Sequence, residues 1–335
     1  MYNLNEDMQI NVQKVILSIG LVCCTSVAAI DYDPLNTKID PGSVKTLDTS
    51  FTYGKQEREI PVLVYLPSSA MKAPVVIFSH GLGGSRKGSA FLGKHWAACG
   101  YVAVFIQHPG SDQSVMEGLP PLKRYAALKK AASLKSTLDR VRDVPALIDQ
   151  LGRWNKEPDH SLMGRVDLKR IGMSGHSFGA ITTQYVSGQS VSLRRQDFVE
   201  KRIRAALPMS PSGPRRGEVE KAFAKVSIPW LLMTGTEDDS PIGDFESEDR
   251  LKVFPALPPE GKYELVLWRA EHSAFTERRL PGDREHRNPN HHKVILALST
   301  AFWDAYLQEG TEARKWLDGD GPKSVMEPKD RWQRK

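Results

Sequence analysis

Apolar, β-branched runs alternate along the chain with turns and amphipathic stretches. Residues 58–66 and 73–79 read as two strands joined by a turn, followed by strands at 101–107, 170–174, 205–209, 229–234 and 263–268. Several are continuously apolar, such as Val75-Val76-Ile77-Phe78 and Val102-Ala103-Val104-Phe105-Ile106, the pattern of strands buried on both faces. Between them, residues 90–99, 122–154 with expected breaks, 177–187, 219–225 and 291–307 carry helical periodicity. In the second of these, Leu138, Val141, Ile148 and Leu151 share one face, and Pro145 is expected to kink the run or open a new first turn. Strands alternating with helices predict an α/β fold, a mostly parallel twisted sheet of about eight strands with helices on both faces. Such sheets carry their sites at the carboxyl ends of the strands.

Residues 1–29 break this pattern. Lys14 precedes an apolar run at 15–24, and Val27-Ala28-Ala29 supplies small residues for cleavage before Ile30. The segment reads as a signal peptide and the protein as secreted or periplasmic, the alternative being a buried apolar helix. Glu6 and Asp7 are unusual in such a leader, and a start at Met8 would remove both. The apolar run is too short to span a bilayer, so no transmembrane segment is expected in the mature chain. Residues 30–310 are then expected to form a single α/β domain, with a C-terminal helix and basic tail at 311–335.

With 335 residues, 40% apolar and 26% charged, the chain is of ordinary globular composition, which excludes disorder and coiled coil. The net charge of +6 raises the question of nucleic acid, but neither a zinc-finger spacing nor a basic stripe interleaved with aromatics is present. Nucleic acid is therefore not expected as a partner. The basic clusters at 123–135, 194–204 and 331–335 read as solvated helix faces and a frayed tail, with weak attraction to anionic surfaces as the alternative. Of the three cysteines, Cys23 and Cys24 leave with the signal, so no intramolecular disulfide is expected. Cys99 ends a helix facing the core and reads as a small buried hydrophobe.

Gly175-His176-Ser177-Phe178-Gly179 lies between an apolar strand and a helical run. Strand, G-x-S-x-G and helix together make a nucleophile elbow, which lifts the serine hydroxyl above the sheet at a helix N-terminus. In that arrangement an acid and then a histidine follow in the chain. Glu237, Asp238 and Asp239 follow one strand, and His272 follows the next. Asp238 is taken as the acid with Asp239 in reserve, although the acidic run could instead bind calcium. His272 would take the proton of Ser177 while the carboxylate fixes its tautomer. His80-Gly81-Leu82-Gly83-Gly84 follows the strand 73–79, and the backbone N–H groups of Leu82 and Phe178 are the expected oxyanion donors.

Other polar residues carry less. His291 and His292 read as first-turn residues capped by Asn290, and neither metal nor cofactor is expected. His108 closes a strand on the active side, and Asp143, three after Arg140, reads as a surface helix pair.

At these residues the chain resembles the α/β-hydrolase superfamily, in the branch of predicted dienelactone-hydrolase-like proteins, platelet-activating-factor acetylhydrolases and cutinase-like polyester hydrolases. Phe78-Ser79-His80-Gly81-Leu82-Gly83-Gly84 and Gly175-His176-Ser177-Phe178-Gly179 carry the likeness, which spans about residues 50 to 308. Acetylhydrolases take their acid from the strand after the elbow helix, where 205–211 offers no carboxylate. The chain is in this respect more similar to cutinase-like enzymes, and the resemblance implies Asp238, nine positions after Pro229, as the acid. Dienelactone hydrolases use a cysteine where this chain has Ser177. The expectation is a secreted, monomeric, cofactor-free serine esterase acting on a small-molecule, lipid or polymer ester. Its substrate would pass lid segments at 111–134 and 190–202. The alternatives are a peptidase or amidase, an acyltransferase, and a catalytically inactive binding module.

Overall fold

The computed structural model describes residues 32–190, 198–215, 217–243, 245–280, 283–284 and 287–335. The expected signal segment 1–29 lies outside these residues, as does 191–197 of the second lid segment with Arg194 and Arg195 of the basic cluster at 194–204.

Nine strands among the described residues form one sheet: β1 (Lys45–Tyr53), β2 (Arg58–Leu66), β3 (Ala73–Ser79), β4 (Val102–Ile106), β5 (Val166–His176), β6 (Ile203–Met209), β7 (Trp230–Glu237), β8 (Lys262–Glu271) and β9 (Arg331–Arg334). Their order across the sheet is β1-β2-β4-β3-β5-β6-β7-β8-β9. The strands from β4 through β8 in that order are mutually parallel, and β1, β2 and β9 add antiparallel pairs at the two edges. The architecture is thus the α/β arrangement expected, with both edges extended.

The apolar runs sort by alternation. Val75 and Ile77 of β3 point to one face, onto Val141, Val144, Leu147, Ile148 and Leu151 of helix α3 (Leu134–Trp154). Val76 and Phe78 point to the other, with Leu92 and Trp96 of α1 (Ala90–Ala98) and Leu298, Phe302 and Trp303 of α8 (Pro289–Leu307), which follows the short helices α5 (Val219–Phe223), α6 (Ser247–Leu251) and α7 (Val253–Ala256). Continuous apolarity was therefore the correct sign of strands covered on both sides.

Two local expectations are corrected, and a third is placed. The helical stretch 122–154 breaks, as expected, into α2 (Pro121–Ala131) and α3, with Ser133 Oγ accepting from Ser136 N as the cap. The break falls there, and α3 runs through Pro145 without starting anew. The tail is no frayed end: β9 pairs with β8, and Trp332 stacks on Tyr263 with ring centroids 5.4 Å apart. Asn288, rather than Asn290, caps α8, because Pro289 takes the first helical position.

Candidate active site

The carboxyl ends of the parallel strands bring four separate segments together. Ser177 follows β5 directly and precedes α4 (Phe178–Ser187), with φ 58° and ψ −117°, a strained conformation for a residue with a side chain. The turn is held by close packing. A Cβ on Gly179 would lie 1.9 Å from Ser79 O, and one on Gly175 would lie 2.4 Å from Gly179 O. Only glycine fits at either position, which is the physical content of the motif.

Ser177 Oγ lies 2.8 Å from His272 Nε2, and His272 Nδ1 lies 2.6 Å from Asp238 Oδ1. His272 sits just beyond β8 and Asp238 just beyond β7, both buried. Burial alone would raise the Asp238 pKa, but the Arg250 charge, and then the charge and hydrogen bond of His272, outweigh it and hold the carboxyl at about 2. An ionised carboxylate only accepts, so Nδ1 carries the ring proton and Nε2 faces Ser177 as an acceptor. Asp238 Oδ2 accepts from Thr234 Oγ1 at 2.8 Å. Asp239, the reserve acid, does not reach His272: it is exposed, and its Oδ1 accepts from Ser247 N at 2.9 Å. Successive residues leaving a strand point to opposite sides, so only one of the pair can face the histidine.

Two further residues bear on this group without having stood out in the sequence. Arg250, on the short helix Ser247–Leu251 after β7, is buried, with Nε donating to Asp238 O at 2.6 Å and lying 3.2 Å from Asp238 Oδ1. Its Nη1 donates to Ser210 O at 2.8 Å, tying the loops after β6 and β7 together. His176 packs its ring 4.6 Å from that of His272. Burial, with His272 beside it, keeps the His176 pKa well below the ordinary range, so it packs there as a neutral ring. An arginine twelve positions past an acid carries no periodic signal, and its role depends wholly on the fold.

The Gly-rich loop after β3 lies beside the elbow, where a Cβ on Gly81 would be 3.4 Å from Ser177 Cβ. Leu82 and Phe178 both line the cavity above Ser177, and neither backbone N–H has an acceptor among the described residues. The cavity has a volume of about 1400 Å³. Met116, Leu128, Leu134, Ile181, Tyr185 and Phe245 form much of its apolar wall, and Arg124, Arg215 and Lys221 also border it. Leu128 of α2 presses over Gly83, whose φ of 71° and lack of a side chain admit it.

A second Ser-His-Asp chain lies beneath this one. Ser79 Oγ is 2.9 Å from His108 Nε2, and His108 Nδ1 is 2.8 Å from Asp143 Oδ2. All three side chains are fully buried, and none borders the cavity. Asp143 also accepts from Tyr53 Oη at 2.6 Å and Arg58 Nε at 2.8 Å. The expected surface pair of Arg140 and Asp143 is therefore corrected: both are buried, and they turn to different partners. The three-residue spacing also puts both on the apolar face of α3, a placement the charges alone concealed. Cys99 is buried as expected, and burial pushes its thiol up to about 12. His291 and His292 lie in the first turn of α8, each ring hydrogen-bonded to a backbone carbonyl, Trp268 O and Thr276 O.

A nine-stranded, mostly parallel mixed sheet with a serine on a strand-to-helix elbow is consistent with the α/β-hydrolase fold. Residues 46–119 match the family of platelet-activating factor acetylhydrolase, isoform II, a family of that fold. The matched segment holds the Leu82 loop, Ser79 and His108, and ends before Ser177, Asp238 and His272. No curated protein matches the chain.

Proposed function

We propose that the protein is a serine hydrolase of carboxylic esters that works through an acyl-enzyme on Ser177. The observation that carries this is the hydrogen-bonded series Ser177–His272–Asp238, opening onto a cavity from a strained elbow. His272 Nε2 takes the hydroxyl proton as Ser177 Oγ attacks the ester carbonyl, and Asp238 holds the imidazolium that results. The N–H groups of Leu82 and Phe178 receive the oxyanion. Collapse breaks the bond to the alkoxide leaving group, which departs as alcohol with the proton from His272. Water then repeats the sequence on the acyl-enzyme and releases the acid.

The cavity, larger than the roughly 300–1,000 Å³ common for small-ligand sites, supports a bulky or long-chain substrate. Its apolar wall beside Arg124, Arg215 and Lys221 supports an amphiphilic or anionic ester. Residues 1–29 support export of the mature chain from Ile30.

The Ser79–His108 hydrogen bond lies within the family-matched segment and favours a second reading, in which Ser79 is the nucleophile. Its burial argues against this, since a substrate carbonyl needs access to the attacking oxygen. One experiment separates the two: initial rates on p-nitrophenyl esters from acetate to palmitate for the wild type, Ser177→Ala and Ser79→Ala. Loss of turnover in Ser177→Ala alone is expected. Loss in Ser79→Ala with full activity in Ser177→Ala would reverse the assignment. A folded wild type inert on every ester points instead to an amidase or a binding module.

A further inference from the structure

Arg140 is the least expected charge in the molecule. It is wholly buried, and no carboxylate among the described residues forms an ion pair with it. Burying a cation without an ion-pair partner is costly. Its hydrogen bonds go instead to neutral acceptors around the loop after β3: Nε to Ser111 Oγ at 2.8 Å, Nη1 to His80 O at 2.7 Å, and Nη2 to Ser111 O at 3.3 Å and Gly81 O at 3.4 Å. Its guanidinium carbon also lies 4.3 Å from the centre of the Phe178 ring. One side chain thus touches both residues that flank the expected oxyanion position: the carbonyl of the Gly81–Leu82 peptide and the side chain of Phe178.

The consequence for Leu82 follows from peptide geometry. The Gly81–Leu82 peptide is trans, so its C=O and N–H point in opposite directions. The Gly81 carbonyl is held from the interior by Arg140 Nη2, by Gly84 N at 3.0 Å and by His80 Nδ1 at 2.6 Å. His80 Nε2 accepts from His108 N at 3.1 Å, which leaves the ring proton on Nδ1 to donate to that carbonyl. Burial, with the Arg140 cation next to it, keeps His80 neutral and the tautomer fixed. With the carbonyl pinned inward, the Leu82 N–H faces the cavity.

We propose that Arg140 is a positioning residue for the ester chemistry, fixing the Leu82 N–H toward the oxyanion and placing a dry positive charge behind both donors. The Ser79–His108–Asp143 chain then has a structural role. Arg140 Nη1 lies 3.5 Å from Ser79 Oγ, His108 N ties the chain to His80, and Asp143, whose hydrogen bonds go to Arg58 and Tyr53, acts on Arg140 only as a nearby negative charge, as Asp112 does. With neutral groups as its hydrogen-bond partners, the part of its field that these carboxylates leave uncompensated acts on an anion that forms only in the transition state.

This inference rests on Ser177 as the nucleophile, and its test separates the two. Arg140→Met and Arg140→Lys are compared with the wild type for kcat, KM and inhibition by an alkyl boronic acid, which forms an anionic tetrahedral adduct on the serine. For Arg140→Met, kcat is expected to fall on the order of 10- to 100-fold, below the 10²- to 10³-fold typical of deleting a donor. KM should change less than about threefold, and boronate affinity should weaken in step with kcat. Arg140→Lys, with the charge but not the fork, should fall between. Should Arg140→Met not fold, Ser111→Ala removes the Nε acceptor, with the weaker Ser111 bond to His108 O, and is expected to lower kcat and boronate affinity together by a few-fold. Boronate affinity unchanged in folded variants overturns the proposal. An active Ser177→Ala overturns the reading beneath it instead.

Discussion

Replacing Asp238 by asparagine tests the site at its most constrained point. The carboxylate is fully buried, 2.6 Å from His272 Nδ1, 3.2 Å from Arg250 Nε and 2.8 Å from Thr234 Oγ1. The asparagine carbonyl can keep the Thr234 bond, which turns the amide N–H toward His272 Nδ1. That nitrogen must then accept, so the ring proton moves to Nε2, the atom that should receive the proton of Ser177. Against the effect of burial, Arg250 and then His272 hold the carboxyl at about 2, so it is charged throughout the assay range and fixes the tautomer. The magnitude follows from that tautomer: with its proton on Nε2, His272 cannot accept from Ser177 Oγ 2.8 Å away, so kcat should fall about 10³- to 10⁴-fold, or ~4–5.5 kcal/mol. The assay is steady-state hydrolysis of a p-nitrophenyl ester, with circular dichroism to confirm folding. Asp239→Asn is the control, because among the described residues its carboxylate bonds Ser247 N and does not reach His272, and it should stay within about twofold of the wild type. Equal losses in the two variants, or a folded Asp238→Asn above a tenth of wild-type kcat, would refute the reasoning.

Burial, and then the Arg140 charge, push His108 down to about 4 against the hydrogen bond to Asp143. The unfolded chain therefore binds a proton between pH 6.5 and 4 that the folded chain refuses, and up to about 3 kcal/mol of stability is lost as pH falls through that window. In urea melts at stepped pH, His108→Gln should lose less stability than the wild type between pH 7 and 4.5; an unchanged slope would count against the assignment. Asp143 acts lower still: burial would raise its pKa, but His108 and Arg58 hold it at about 2, so its share disappears as pH drops from 3.8 toward 2. Glu264 has the opposite sign, since burial pushes it up to about 7 despite the hydrogen bond from Gln333. Stability is lost as pH rises from 4.5 through 7, and Glu264→Gln should raise Tm by several degrees at pH 8 and little at pH 4; equal gains at both would exclude a titration origin. For export, mass spectrometry of secreted material should find an N-terminus at Ile30, and recovery of the intact leader would overturn that expectation.

Local pattern was enough for most of the sheet. Continuous apolar runs such as 75–78 and 102–106 can bury both faces only inside a covered sheet, and they became its centre. The edges were harder to read. In β1, Leu47, Phe51 and Tyr53 alternate with polar residues, a half-buried signal spread over nine positions. In β9, Arg331, Gln333 and Arg334 look like a solvated end until Trp332 meets Tyr263, a contact 69 residues away in the chain.

The same division runs through the site. Gly175, Ser177 and Gly179 were legible because an elbow imposes its residue types locally, through contacts as short as 1.9 Å from a would-be Cβ to Ser79 O. The order of strands placed an acidic run and a histidine at one end of a parallel sheet, so position alone pointed to His272 and to Asp238 with Asp239 in reserve. Which of two adjacent aspartates turned inward was left to the tertiary structure, through Thr234 and Arg250. Arg140 and Asp143 lay beyond the reach of pattern, because charged residues three apart on a helix look the same on a surface as in a core. What decides between them is desolvation, and desolvation is set by the segments that pack from 60 to 90 positions away: β1 and β2 over Asp143, and the β3 loop over Arg140.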